Sequence, residues 1–286
     1  MAIKNVLFSE KKIEGSKAKT YVYSSSDFWP DAIPAFLMKK KDPDSKWIAG
    51  FFLFAPPPWR KNSPYKGIFW FKGLIYWFFQ QPIYWLVKKE ADVILVTSQP
   101  DVARFSREGE KNESVVVVQG GTDVGPAGKY LKSNRSELIK KKRYDGCFVG
   151  RFHYQKGVLE LIEIWRLVCQ KKPLARLVLI GDGPLRREVE EKIKHFNLSD
   201  RIKMFGFRDG EEKYQIFKES KVIVHPAIYD SGGMAAAEAM AWGLPGVSFD
   251  LEALRSYYPK GMVKVPEGDR EAFAGAVLKL LEDRKF

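Results

Sequence analysis

Asp230 and Glu238 stand eight positions apart in "DSGGMAAAEAMAWGLPG" (230–246), with Gly232 and Gly233 after the first acid and alanines around the second. A Gly-Gly pair costs conformational entropy on folding, and a carboxylate among alanines adds nothing to packing. Both features suit a place where a ligand approaches the backbone closely. The helix expected after the glycines offers unpaired N–H groups and the positive end of its dipole, which fit a phosphate or a polar sugar. Small alanines let that helix sit tight under a ligand. Glu238 falls about a turn and a half into it. A carboxylate there accepts two hydrogen bonds, and a ribose diol is its natural partner.

Two further stretches carry the same kind of chemistry. "VGRFHYQKG" (149–157) follows an apolar run and brings Arg151 and Lys156 close together. Arginine as a planar fork and lysine as a point charge are well suited to a diphosphate. "GDGP" (181–184) ends the next apolar run in a glycine turn. His153 reads as a neutral hydrogen-bonding loop residue. His225, ahead of Pro226, reads as structural.

These stretches need a scaffold that delivers them to one place, and the second half supplies it. "YDGCFVGRF", "ARLVLIGDGP", "RIKMFGF", "KVIVHPA" and "PGVSFD" read as five strands. Between them lie helical patterns, among them 158–172 with apolar residues at helical spacing, "LRREVEEKIKHF", "EEKYQIFKES" and the alanine-rich run, and a closing helix over 270–283. Strands alternating with helices of this length give βαβ units, a parallel sheet and right-handed crossovers. Ligands of such sheets bind at the carboxyl ends of the strands, where all three stretches fall.

The first half gives "AKTYVYSSSDFWPDAIPAFL" as strand into helix, "KWIAGFFLFAPPPW" as a buried strand, "ADVILVTSQPDVARF" as strand–loop–helix and "SVVVVQGGTDVG" as a strand ending in glycines. They resemble the later units of a second parallel sheet. The polar, basic segment 132–146 reads as the connection between domains.

The chain has 286 residues and two cysteines, Cys147 and Cys169, each inside an apolar run and without metal-ligand spacing. That argues against a disulfide scaffold or zinc site and fits a reducing cytoplasm. No apolar signal segment opens the sequence. The formal charge of +13 is concentrated in the first half, which also holds six of the eight tryptophans. Such a half suits an anionic partner surface, and signatures of nucleic-acid modules are absent. "GIFWFKGLIYWFFQQPIYWLV" (67–87) approaches a membrane span in length, but Lys72, Gln80, Gln81 and Pro82 interrupt it. Two readings stay open: a helix lying on a membrane interface through residues 65–89, or a helix with its aromatics inside the first domain.

The series "VGRFHYQKG", "IGDGP", Gly206-Phe207 and Asp-x7-Glu followed by "AMAWGLPG" resembles the C-terminal domain of retaining glycosyltransferases of the GT-B fold, the family 4 group, over residues 145–283. The family's motif is Glu-x7-Glu, and Asp230 here takes the first acidic position. The resemblance implies an α/β protein of two Rossmann-like parallel-sheet domains, residues 1–144 on the acceptor side and 145–286 on the donor side. It implies that Arg151 and Lys156 grip the donor diphosphate, that Glu238 holds the ribose and that Asp230 meets the sugar hydroxyls. Backbone at Gly233, Met234 and Ala235 would contact sugar or phosphates, and Gly150, Gly181, Asp182, Gly183, Phe207 and Gly232 complete the donor-binding set. The expected activity is metal-independent transfer of a sugar, with retention, from a nucleotide-diphosphate sugar to a lipid-linked or membrane-surface acceptor. No cofactor beyond the donor is implied, and the expected location is the cytoplasm, peripheral on the inner membrane face. The first domain reads as incomplete, lacking its opening βα units. A nucleotide-sugar-binding module without turnover is the alternative.

Overall fold

The structure, a computed structural model, describes residues 20–60, 63–65, 67, 69–106, 114–133 and 142–282. The chain divides into two compact units, residues 1–119 and 120–286.

The first unit carries β1 (Tyr21–Ser24), α1 (Trp29–Lys41), β2 (Lys46–Gly50), α2 (Phe69–Glu90), β3 (Val93–Val96), α3 (Gln99–Phe105) and β4 (Val115–Val117). The strands form a parallel sheet in the order β1-β2-β3-β4. Each strand pairs with the one before it in sequence, so right-handed crossovers carry every connecting helix to the same face. The packing agrees. Val22, Trp47, Ala49, Ile94 and Val96 are buried together with Ala32 and Ala35 of α1, Ile83 and Val87 of α2, and Phe105 of α3. On the opposite face Tyr21, Tyr23 and Val116 are exposed.

The helix α2 shows how the polar residues of 67–87 are accommodated. It runs unbroken through Gln80, Gln81 and Pro82. Gln80 is buried and turned inward: its amide donates to Asp27 Oδ2 (2.6 Å) and to the Leu53 carbonyl (2.8 Å), and its own carbonyl accepts the Ala55 N–H (2.7 Å). A buried amide so satisfied stabilises the chain entering the helix. The polar residue that seemed to interrupt the segment is therefore an internal clamp, and several aromatics point the other way.

The second unit begins with α4 (Gly125–Ser133), a helix not anticipated from the sequence; residues 134–141 of the expected connection lie outside the described residues. There follow β5 (Tyr144–Val149), α5 (Val158–Lys171), β6 (Leu177–Ile180), α6 (Arg186–His195), β7 (Ile202–Gly206), α7 (Gly210–Lys218), β8 (Ser220–His225) and α8 (Met234–Ala241). The unit closes with β9 (Gly246–Phe249), α9 (Glu252–Tyr257), β10 (Met262–Val265) and α10 (Arg270–Glu282). All the expected strands are present. A sixth, β10, and the short α9 were not foreseen. The sheet order is β10-β9-β8-β5-β6-β7, all parallel.

Here both faces are covered. α5 buries Leu161, Ile162, Ile164, Trp165 and Val168 against one face with Val277 and Leu280 of α10. On the other, Ala236 and Ala239 of α8 pack with Ile216, Phe217 and Trp242. The chain runs outward from β5 to β7, then returns to place β8 beside β5. The reversal creates a switch point where the loops after β5 and β8 diverge, the place where an open α/β sheet takes its ligand.

Candidate functional site

The loop after β5 holds Gly150, Arg151 and Lys156, and a one-turn 3₁₀ segment, Tyr154–Lys156, leads into α5. The loop after β8 holds Asp230, Gly232 and Gly233. The two are tied together: the Lys156 ammonium donates to Asp230 Oδ2 at 2.6 Å. The Nε2 atom of His225, the last residue of β8, lies 3.1 Å from the same oxygen. Oδ1 accepts the N–H groups of Gly233 (2.9 Å) and Gly232 (3.2 Å). Burial of Asp230 by itself would raise its pKa, but the hydrogen bond and charge of His225 and the nearby Lys156 hold this carboxyl well below the usual carboxylate range. The acid is thus a fixed anion that shapes its own loop.

The glycines have definite reasons. Gly233 caps α8 at φ +62°, and a Cβ there would come 3.1 Å from Leu254 and 3.2 Å from His225 Nε2. The Tyr258 hydroxyl lies 2.8 Å from both the Gly232 and Gly233 carbonyls and donates into that pair. With the carbonyls held from behind, the N–H groups of Met234 and Ala235 precede the first helical bond, which Ala236 donates to Gly233. Amides in that position are available to an anion.

The loops after β5 and β6 are closely joined. Gly150 donates to the Ile180 carbonyl at 3.0 Å, and Phe152 to the Asp182 carbonyl at 2.9 Å. Gly181 has φ +139°, and a Cβ on it would lie 1.9 Å from the Gly150 carbonyl oxygen; at Gly183 it would lie 2.6 Å from that of Phe152. Gly181→Ala is therefore expected to cost roughly 1–3 kcal/mol through the forced backbone shift, seen as a lower thermal midpoint. An unchanged midpoint would contradict so close an approach. Asp182 accepts its neighbour Gly183's N–H and pairs with Arg186, both on the exposed side. Phe207, after β7, is exposed.

Glu238 sits elsewhere in the hydrogen-bond pattern. Lys213 of α7 lies 2.7 Å from Glu238 Oε1 and 2.7 Å from Asp209 Oδ1, with its own side chain largely buried. Burial would lower the Lys213 pKa, but the hydrogen bonds its ammonium donates to Asp209 and Glu238 raise it on balance. The structure thus joins Lys156, Asp230, Gly232 and Gly233 directly, and Gly150, Gly181 and the Asp182 backbone in a second unit. Glu238 joins α8 to α7. Arg151 is exposed and, among the described residues, its guanidinium has no ion-pair partner.

Three participants had not been singled out: Lys213, Tyr258 and, as an Asp230 partner, His225. A histidine ending a core strand five residues before an acid was a readable signal. Lys213 looks like any other charge on an amphipathic helix, and Tyr258 follows a helix with no clear pattern. His153 caps the 3₁₀ turn, its Nδ1 accepting the Gln155 N–H at 3.3 Å. Burial, with Arg151 and Lys156 nearby, lowers its pKa, so it stays neutral and hydrogen-bonding. Neither thiol belongs to the site: burial pushes Cys147 up to about 12 and Cys169 up to about 11.

The family model "Glycosyl transferases group 1" matches residues 131–286, more than half of the chain. Over 135 residues the chain is 24% identical to the phosphatidylinositol N-acetylglucosaminyltransferase gpi3 subunit of Schizosaccharomyces pombe, covering 47% of this chain and 30% of that protein. Over 158 residues it is 28% identical to the alpha-D-kanosaminyltransferase of Streptomyces kanamyceticus, covering 53% and 41%. The chain spans less than half the length of these curated relatives. Among solved structures, Anabaena HepE in complex with UDP and glucose superposes with a TM-score of 0.67 at 16% identity, covering 93% of this chain and 69% of that one. Staphylococcus aureus TarM, in a complex containing UDP, gives 0.67 at 14% identity, covering 88% and 47%. These neighbours share the GT-B fold of two parallel-sheet α/β units. By its matched half and its fold, this chain belongs to the group 1 glycosyl transferases.

Proposed function

We propose that the protein transfers a sugar from a nucleotide-diphosphate donor, with retention at the anomeric carbon, to an acceptor carried on lipid at the cytoplasmic face of a membrane. The observation that carries this reading is the Lys156–Asp230 contact across the switch point, directly before the open N-terminus of α8. A cation, a fixed anion and a row of backbone amides suit a sugar diphosphate: amides and ammonium for phosphate oxygens, carboxylate for sugar hydroxyls. HepE and TarM were each solved holding UDP, which makes uridine the first base to test. The gpi3 relative is named for phosphatidylinositol, which favours a lipid-borne acceptor.

In this reading the acceptor oxygen bonds to the anomeric carbon as the bond to the donor's phosphate oxygen breaks. The acceptor's proton passes to the departing phosphate. Arg151 and Lys156 stabilise the charge that grows on the leaving group, without a protein-held metal or further cofactor. Glu238, steadied by Lys213, receives the ribose diol. Gly150, Gly181, Asp182, Gly183 and Phe207 border the donor from the loops after β5, β6 and β7.

Calorimetric titration with UDP-, GDP- and ADP-sugars tests the donor site. We expect one of them to bind, and Glu238→Ala to weaken it by about 1.5–3 kcal/mol, the loss of a hydrogen bond to a charged group. Failure of all three to bind would overturn the donor reading. A binding module without turnover is the second reading, favoured by the engagement of Asp230 with Lys156, His225 and two loop amides before any donor arrives. It would bind the donor yet release no free nucleotide with any acceptor supplied.

A further inference from the structure

The strongest feature that the donor site leaves unused is the outer side of α2. Phe71, Ile75, Phe78, Pro82, Trp85 and Lys89 recur at helical spacing along one exposed stripe. Phe71 is 66% exposed, Phe78 64% and Trp85 61%. The inner side of the same helix buries Ile83 and Val87 in the core and carries the Gln80 clamp. The helix is thus apolar on both sides: Ile83 and Val87 enter the core, while the outer aromatics have no core to enter.

Neighbouring segments extend the stripe into a patch. Trp29 of α1 donates its indole N–H to the Phe79 carbonyl at 2.8 Å and packs edge-on against the Phe79 ring. Trp59, itself 60% exposed, stands 4.9 Å from the Trp77 ring in the same edge-on manner. An apolar surface on this scale marks a site of interaction.

Charge decides what kind of surface it meets. From Ser45 to Lys89 the sequence has seven lysines and arginines and no acidic residue. Among the described members Arg60, Lys72 and Lys89 are exposed around the patch. A protein partner would have to supply both an apolar platform and a surplus of acids. An anionic phospholipid surface offers hydrocarbon, a polar boundary that favours Trp, and negative headgroups together. No helix among the described residues is long and apolar enough to cross a membrane, so contact is by lying on the surface.

We propose that the outer face of α2, with Trp29 and Trp59, docks the protein on an anionic phospholipid bilayer. Its purpose rests on the proposed lipid-borne acceptor, whereas its physics depends only on this patch. Phe71, Phe78 and Trp85 enter the headgroup–acyl boundary, and Arg60, Lys72 and Lys89 meet the headgroups.

The test is sedimentation of the full chain with vesicles of phosphatidylglycerol and phosphatidylcholine in equal parts, against vesicles of phosphatidylcholine alone. We expect strong partition to the anionic vesicles, weakened by salt. The double variant Phe78→Ser/Trp85→Ser should lower it about tenfold or more, since two aromatic side chains no longer leave water. Both side chains are exposed, so thermal melting of the variant should match the parent and exclude misfolding. Equal partition of parent and variant, or no partition of either, would overturn the proposal. So would a parent dimer in analytical ultracentrifugation that the double variant abolishes while neither binds vesicles, because the patch would then serve a second copy. Donor titration of the same samples separates the two readings: intact donor binding without vesicle binding sinks the surface alone, and vesicle binding without donor binding sinks the transferase reading alone.

Discussion

Asp230→Ala is expected to cost about 3–5 kcal/mol of stability, the range found when one partner of a buried ion pair is removed, and to abolish donor binding. The carboxylate is buried with His225 and meets Lys156 at 2.6 Å, and both glycine N–H groups of the loop also point at it. Without it a cation and two amides lose their acceptor, and Gly233 at the start of α8 is held only through its carbonyl. Asp230→Asn keeps the shape and one acceptor oxygen but loses the charge, so it serves as the probe of pH. The folded-state pKa of Asp230 lies below that of an unfolded aspartate, about 3.9. Its contribution to stability is therefore complete above that value and is lost as pH falls through it toward the folded pKa. The stability gap between the parent and Asp230→Asn should be widest near pH 6–7 and close progressively below about pH 4. Melting followed by circular dichroism over that range decides it. A gap that stays constant from pH 7 to pH 3 would mean that the charge on Asp230 does not hold the loop.

How far this arrangement could be read in advance depended on the range over which each signal acts. Strands such as β6, buried on both faces, appear as uninterrupted apolar runs, and α5 shows its inner face as a 3.6-residue period. Local pattern suffices for both. β10 has four residues with Lys264 among them at the sheet edge, too short and too polar to stand out. α4 opens on Gly125-Pro126 and lasts nine residues, so it passed for connection. Gln80 misled because polarity in an apolar segment looks like an interruption until the chain folds Asp27, Leu53 and Ala55 around it.

Within the site the same division holds. Gly232, Gly233, Arg151 and Lys156 announce themselves by type and by position after a strand. That Lys156 reaches Asp230 across 74 residues depends on β8 returning beside β5, which strand order fixes and local sequence does not. Lys213 meets Glu238 for the same reason, since α7 and α8 flank β8 on the folded sheet. Residue type was legible; partnership required topology.

The two cations after β5 differ in a way that separates catalysis from stability. Lys156 is part of the folded network, whereas Arg151 is exposed and unpaired among the described residues. Arg151→Ala should leave stability within roughly 0.5 kcal/mol of the parent, as for a surface substitution away from any network. If its guanidinium meets the departing diphosphate, the same change should lower kcat about 10²–10³-fold, the loss found when one donor to a developing anion is removed. KM for the donor should change far less, because charge on the leaving oxygen grows only toward the transition state. Lys156→Ala should show both effects at once, a lower melting point and a collapsed rate, because the lysine neutralises Asp230 before any donor arrives. Arg151→Lys keeps the charge and loses the planar fork, so partial recovery of the rate would show that charge matters more than bidentate geometry. Nucleotide release from a UDP-sugar in the presence of anionic vesicles carrying lipid acceptors measures all three. An Arg151→Ala protein with parental kcat would remove the arginine from the leaving-group site and leave Lys156 as its principal cation.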